Sequence, residues 1–175
     1  KITYFEGGIR VPLFVKWPAR VAAGQAVNTP VAHIDVMPTL LAAAEQALPQ
    51  DREIDGENLL PLIIEDGLAE AEWPRQTLFW SSGHNRIVRH GDWKLQVAAR
   101  PETNWLFNLA EDPTEQVNLA EARPDKVSQL IALLDAHAAE SRAPLYEPEI
   151  DGAVAIDKHL ALPFDRGDEW VSVPN

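Results

Sequence analysis

Apolar and polar positions alternate most regularly in the stretch 77–109, where four short β-favouring runs (77–82, 86–89, 93–98 and 105–109) are separated by Gly83, by His90-Gly91-Asp92 and by Pro101. This pattern predicts an antiparallel meander of three or four strands, with Gly91 free to take the positive φ of a hairpin turn. After Asp112-Pro113 the period lengthens. Over residues 124–139 the residues Val127, Leu130, Ile131, Leu134 and Ala138 form one apolar stripe behind Pro124, which fits a first helical position. A helix lying on the meander follows.

The opening third reads differently. Residues 12–17 are an apolar and aromatic run bounded by Gly7-Gly8 and Pro18, which predicts a short buried strand. From Ile34, the residues Met37, Leu41, Ala44 and Leu48 recur at helical spacing, with Asp35 in the first turn and Pro38 early enough to be tolerated. A strand followed by a helix is a piece of an α/β layer. Its strand and helix would expose apolar surface unless another segment or another copy of the chain covered them. Residues 49–76, punctuated by Pro49, Asp55-Gly56, Pro61, Gly67 and Pro74, predict a surface connection with one helical turn at about 59–64. Residues 144–175 show no sustained period, yet Leu145, Tyr146, Ile150, Val154, Ile156, Leu160, Leu162, Phe164, Trp170 and Val171 are too apolar for a solvated coil. They predict an extended tail wrapped over the body. The expected divisions are therefore 1–48, 49–76, 77–143 and 144–175.

Composition narrows the classes of function. At 46% hydrophobic and 24% charged, the 175 residues belong to the ordinary globular class. With 15 Lys and Arg against 27 Asp and Glu, the formal charge of −12 argues against nucleic acid and anionic membrane partners. No run approaches the roughly 18 apolar residues of a membrane span. Zero cysteine removes disulfides, thiolate metal sites and a Cys nucleophile from these residues.

Candidate chemistry is sparse. The histidines His33, His84, His90, His137 and His159 have no metal-ligand spacing, so no metal site is expected within the chain. His33 reads as a hydrogen-bonding residue before a helix. His84 lies in a loop beside Gly83 and Asn85, where functional residues concentrate. Asp35, Asp55, Asp92, Asp112 and Asp165 read as caps, turns or surface groups. Gly7-Gly8 lacks the rest of a phosphate cradle, and Ser81-Ser82 lacks a nucleophile elbow. One run combines types: from Lys1 to Pro12, a lysine, a Glu6-Gly7-Gly8 turn and Arg10 precede the expected strand. Such cations at a tight turn could hold an anion, although a Glu6–Arg10 pair is the plainer reading of those two.

In these residues the chain resembles the sulfatase family, the arylsulfatase-type branch of the alkaline phosphatase superfamily. The likeness begins with Lys-x-x-x-x-Glu-Gly-Gly-x-Arg-x-Pro at positions 1–12. It continues through Phe14 to Pro18, His33 to Leu41, Asp55 to Leu62, Val88 to Leu95, and Leu106 to Leu109 with Asp112-Pro113-Thr114-Glu115 and Asn118-Leu119. The resemblance implies an α/β class chain, the C-terminal part of an alkaline-phosphatase-like fold: a strand-helix piece of the large sheet, then a small antiparallel sheet packed on a C-terminal helix. It also implies hydrolysis of sulfate esters by a formylglycine nucleophile aided by Ca2+, with a small sulfated molecule as substrate.

Lys1 matches the family's lysine that contacts a sulfate oxygen. His84 and Gln96 are candidate contacts at the pocket rim. The family's Cys/Ser-x-Pro-x-Arg motif and its calcium-binding acidic pairs do not occur in these residues. The expectation is therefore a portion that is inactive alone and is completed by an N-terminal part of the same polypeptide. A phosphonate or phosphate-ester hydrolase of the same superfamily, or a non-catalytic binding module, are the alternatives. The resemblance suggests a periplasmic or secreted setting.

Overall fold

The computed structural model describes residues 2–64, 69–143, 145–146, 151–159 and 161–174; Lys1, Gly67, Pro144, Pro148, Ile150 and Leu160 lie outside them. In chain order the helices are α1 (Glu6–Ile9), α2 (Val36–Ala43), α3 (Leu60–Ile63) and α4 (Pro124–Glu140), and the strands are β1 (Thr77–Ser82), β2 (Asn85–His90), β3 (Trp93–Ala99), β4 (Glu102–Asn108), β5 (Asp151–Ala155) and β6 (Trp170–Pro174). These form two compact units, one made of Lys1–Val11 with Gln76–Asn175 and the other of Pro12–Arg75. The opening turn thus clusters with the distant sheet rather than with the residues that follow it.

In the sheet unit, β1 to β4 form the expected antiparallel meander in sequential order. Its first two hairpins use Gly83 at φ 54° and Gly91 at φ 57°, conformations that glycine adopts without strain. The strands bury side chains on both faces. Val88, Leu95 and Leu106, aligned across the ladder, meet Val127, Leu130 and Leu134 of α4. On the opposite face Ala98, Trp105 and Phe107 pack with Val171 of β6 and with Phe5. The tail is more regular than the sequence suggested: β5 and β6 pair antiparallel, with Val154 opposite Val171. The outward side of β4 is also occupied. Asn118 Oδ1 accepts from the Leu106 N–H at 3.0 Å, Asn118 Nδ2 donates to the Asn104 carbonyl at 3.0 Å, and the Leu119 N–H donates to the Leu106 carbonyl at 2.8 Å.

The Pro12–Arg75 unit departs from expectation in two places. Residues 12–17 form no strand among the described residues, and Phe14 is 88% exposed. A strand needs neighbours to take its backbone groups, and no described segment pairs with this one. The helix expected to reach Leu48 ends at Ala43, followed by Glu45 at φ 57°. Its apolar stripe faces outward, with Val36, Met37 and Leu40 exposed, while Asp35 is fully buried. The expected helical turn near residue 60 is α3, whose Leu62 joins Leu59 and Trp73 in a small core.

Asp35 organises this unit. Its carboxylate takes both terminal nitrogens of Arg75, with Oδ1 at 2.6 Å from Nη1, and also accepts the backbone N–H groups of Ala32 at 2.7 Å and Glu57 at 2.9 Å. The Asp35 carbonyl accepts the Thr39 hydroxyl, which in turn accepts the Leu59 N–H. A Cβ at Gly56 would sit 2.1 Å from the Ile34 carbonyl oxygen, so only glycine lets these two segments approach. Burial alone would raise the Asp35 carboxyl; the Arg75 hydrogen bonds, the two backbone donors and the Arg75 charge outweigh it and hold the group below its usual value. Asp35 thus closes the first helical turn, as expected, by accepting the Ala32 N–H, and is in addition one half of a buried bidentate ion pair with Arg75.

Candidate functional site

The turn that follows Lys1 is built by three charged side chains distant in sequence. Lys94 stands on β3 between Trp93 and Leu95, so alternation puts it on the face away from α4, and it is 1% exposed. A buried ammonium requires counter-charges. Lys94 Nζ donates to Glu6 Oε1 at 2.9 Å and pairs with Glu115 Oε1 at 2.9 Å. Glu115 also accepts the Glu6 backbone N–H through Oε2 at 2.5 Å. The expected Glu6–Arg10 pair does not form: the Glu6 carboxylate lies against Lys94, and Arg10 is exposed.

Local geometry explains why these residue types are needed. α1 is a single turn whose Gly8 backbone lies so close to Thr3 that a Cβ there would meet the Thr3 carbonyl oxygen at 1.9 Å, whereas Gly7 has open space. Phe5 anchors the turn edge-on against Trp105 and Phe107, with ring centroids 5.9 and 6.0 Å away. Glu115 has φ 59°, an uncommon conformation for a side chain of its type, inside a loop closed by the Val117 N–H donating to Asp112 Oδ2 at 2.8 Å. Burial pushes the Glu115 carboxyl above its usual range despite the attraction of Lys94.

The candidate residues fall in separate places. Lys1 lies outside the described residues, five positions before Glu6. His84 sits half-buried in the turn between β1 and β2. Gln96 lies opposite Ile87 and Trp105 in the sheet and is 1% exposed, so the expected open rim position is a buried one in this chain. Neither polar atom of its side chain has a hydrogen-bond partner in the structure, and the Asn85 Oδ1 on the same face is also unpartnered. The ion triad was not foreseen. Its signal was a lysine at an inward position of a strand whose other inward positions are Gln96 and Ala98.

Among the described residues no group of three His, Asp or Glu side chains gathers to hold a metal ion. The buried carboxylates have cationic partners instead: Asp35 has Arg75, and Glu6 and Glu115 share Lys94.

Comparison with known proteins places this arrangement. Residues 1–143 match the family described as N-sulphoglucosamine sulphohydrolase, C-terminal. Human steryl-sulfatase is 44% identical over 193 residues, covering 94% of this chain and 33% of that protein. Arylsulfatase K of Danio rerio is 33% identical over 144 residues, covering 77% of this chain and 27% of that protein. The chain thus spans a third or less of the length of the curated relatives it matches. Two solved structures share the fold. The crystal structure of Ps i-CgsB matches with a TM-score of 0.60 at 20% identity, over 75% of this chain and 29% of that one. BT4656 in complex with its substrate D-glucosamine-2-N,6-O-disulfate matches with a TM-score of 0.58 at 23% identity, over 71% of this chain and 27% of that one.

Proposed function

We propose that this chain, which belongs to the sulfatase family, is the C-terminal portion of an enzyme that hydrolyses sulfate esters, and that Lys1 is its contribution to the catalytic pocket. The observation that supports the reading is the turn from Phe5 to Arg10, clamped by Lys94 and Glu115 and packed on Trp105 and Phe107. Lys1 lies five positions ahead of Glu6 in this turn, and a preorganised cation costs little reorganisation when charge develops on a bound anion.

In this reading the formylglycine nucleophile and Ca2+ belong to residues ahead of Lys1, and the 175 residues alone turn over no sulfate ester. The described residues do not offer Ca2+ a ligand set, so the chemistry assigned to this chain passes through no metal. The Lys1 ammonium lies against a non-bridging sulfate oxygen as a point charge and favours the negative charge that grows as the S–O bond to the leaving group lengthens. His84 contacts the body of the substrate.

Kinetics of the complete enzyme test the proposal. Lys1→Ala lowers kcat on an aryl sulfate about 10²- to 10³-fold, the usual cost of removing one preorganised charge donor. An unchanged kcat rejects the lysine assignment. Single-turnover rates on matched aryl sulfate and aryl phosphate decide the ester class; a strong preference for phosphate overturns the sulfatase reading in favour of the phosphate-ester alternative. His84→Ala raises KM more than it lowers kcat if this side chain holds the substrate body.

A further inference from the structure

We infer that the outer edge of β1 is an interface for a second copy of this chain, the two β1 strands pairing antiparallel about a two-fold axis at Phe79.

The ladder determines which backbone groups of β1 are free. The Gly91 N–H donates to the Gln76 carbonyl at 2.9 Å, so by the alternation of an antiparallel pair Leu78, Trp80 and Ser82 exchange hydrogen bonds with β2. Thr77, Phe79 and Ser81 therefore turn their N–H and C=O groups to the outer side. The same alternation, counted from the Leu109 N–H on the Asp92 carbonyl, turns Asn104, Leu106 and Asn108 outward on β4, where Asn118 and the loop around it meet them. On β1 the outward groups have no such partners: among the described residues none hydrogen-bonds to the outward N–H or C=O of Thr77, Phe79 or Ser81.

Proteins protect a free edge with charge, with proline, with a bulge or with a covering segment. The run Thr77-Leu78-Phe79-Trp80-Ser81-Ser82 has no charged residue and no proline, and its six residues pair with β2 without a break. In a chain of formal charge −12, no Asp or Glu occurs between Glu72 and Asp92. Two acidic molecules can therefore meet at β1 without opposing like charges. The nearest charge on the α4 face, Arg86 opposite Ser81, is already paired with Asp135 at 2.7 Å.

The free groups are also self-complementary. Three N–H and three C=O groups on alternate residues centred on Phe79 match an inverted copy of themselves: Phe79 faces Phe79 of the second copy across the axis, and Thr77 faces Ser81 of the second copy. In this register Leu78 lies opposite Trp80 of the second copy, at the non-hydrogen-bonded positions where cross-strand side chains come closest. Each copy uses the same edge, so the association closes at two and joins the two four-stranded sheets into one of eight strands. One six-residue strand is a small contact beside the roughly 800 Å² per partner of a standard interface. The dimer therefore forms in a concentration-dependent equilibrium.

Sedimentation of the complete protein between about 1 μM and 1 mM tests the interface, with the average mass expected to rise towards that of a dimer. The variant that breaks it is Ser81→Pro. The Ser81 N–H takes no part in the β1–β2 ladder, so proline removes an interface donor and leaves that ladder whole; the dissociation constant is expected to rise at least about tenfold. Ser81→Ala keeps the N–H and is expected to stay within about twofold of the unaltered protein. Amide exchange reads the register: Thr77, Phe79 and Ser81 slow as the concentration rises, while Leu78, Trp80 and Ser82 are slow throughout.

A protein that stays monomeric over the whole range overturns the interface, as does a dimer whose dissociation constant Ser81→Pro leaves unchanged. Slow exchange at Thr77, Phe79 and Ser81 in the monomer also overturns it, because another segment of the polypeptide then fills the edge. Should Ser81→Pro fail to fold, exchange in the unaltered protein decides: protection of those three amides that grows with concentration supports the pairing, and protection independent of concentration refutes it.

Discussion

The two units of this chain each enclose a buried acid, and they enclose it for different reasons. In the sheet unit, Glu115 lies in a molecule already held together by apolar layers on both faces of β1 to β4. In the Pro12–Arg75 unit, the apolar core is small, built around Leu59, Leu62 and Trp73, while Phe14, Leu40 and other large apolar side chains are exposed. There Asp35, with two backbone donors and Arg75, is the principal link between the segments. One acid refines a structure that packing has already made. The other substitutes for packing.

Removing the partner of each kind of core should therefore have unequal results, and the sharpest break is at Arg75. Arg75→Met leaves Asp35 buried and uncompensated, and about 3–5 kcal/mol of stability in the Pro12–Arg75 unit is expected to be lost. Hydrogen exchange resolved by residue would show the loss confined to that unit; a uniform loss across β1 to β4 would contradict the division. Next is an apolar comparison. Leu130→Ala, at a fully buried position between α4 and the sheet, should cost about 2–5 kcal/mol in urea unfolding. Leu40→Ala, at a position 63% exposed, should fall within about 0.5 kcal/mol of the unaltered chain.

How far these differences were legible in advance follows the same line. β1 to β4 and α4 could be read because their period-two and helical patterns bury side chains within the chain's own structure: Val88, Leu95 and Leu106 find Val127, Leu130 and Leu134. Residues 12–17 carried an equally apolar pattern, but a strand is a property of a pair, and these residues have no ladder partner among those described. The β5–β6 hairpin was obscured by its irregular surroundings, and its clearest signal, Val171, is a single buried position. Lys94 was hidden for a different reason. Charge on a strand reads as solvent exposure, and only knowing that both faces are covered reveals that the lysine must have partners. The family resemblance named the motifs containing Glu6, Lys94 and Glu115, yet spacing in sequence gave no sign that they meet.

The smallest of the expected effects comes from acid, and it has opposite signs in the two units. Asp35 is held below its usual value, so the stability it confers is present above its unfolded pKa of about 3.9 and is lost as the pH falls through its lower folded value. Glu115 is raised, so its contribution is present below an unfolded value of about 4.3 and is lost as the pH rises through the higher folded value. Mild acidification from neutrality should thus firm the sheet unit slightly. Stronger acid, below about pH 4, should loosen the Pro12–Arg75 unit. Exchange rates followed unit by unit against pH would check both signs, and Glu115→Gln should abolish the first while leaving the second.

The Asn118 contacts on β4 have a consequence for how the protein behaves in company. A strand at the border of a sheet presents a row of free donors and acceptors, on which another chain can add a strand of its own. Here four of the outward groups are spoken for: the Leu106 N–H and the Asn104 carbonyl by the Asn118 side chain, the Leu106 carbonyl by Leu119, and the Asn108 carbonyl by Glu111 and Asp112. One amide side chain imitates a stretch of backbone and ends the sheet at four strands. An incoming strand would have to break these hydrogen bonds before making its own, so a loop only a few residues long raises the cost of strand addition at this end of the border.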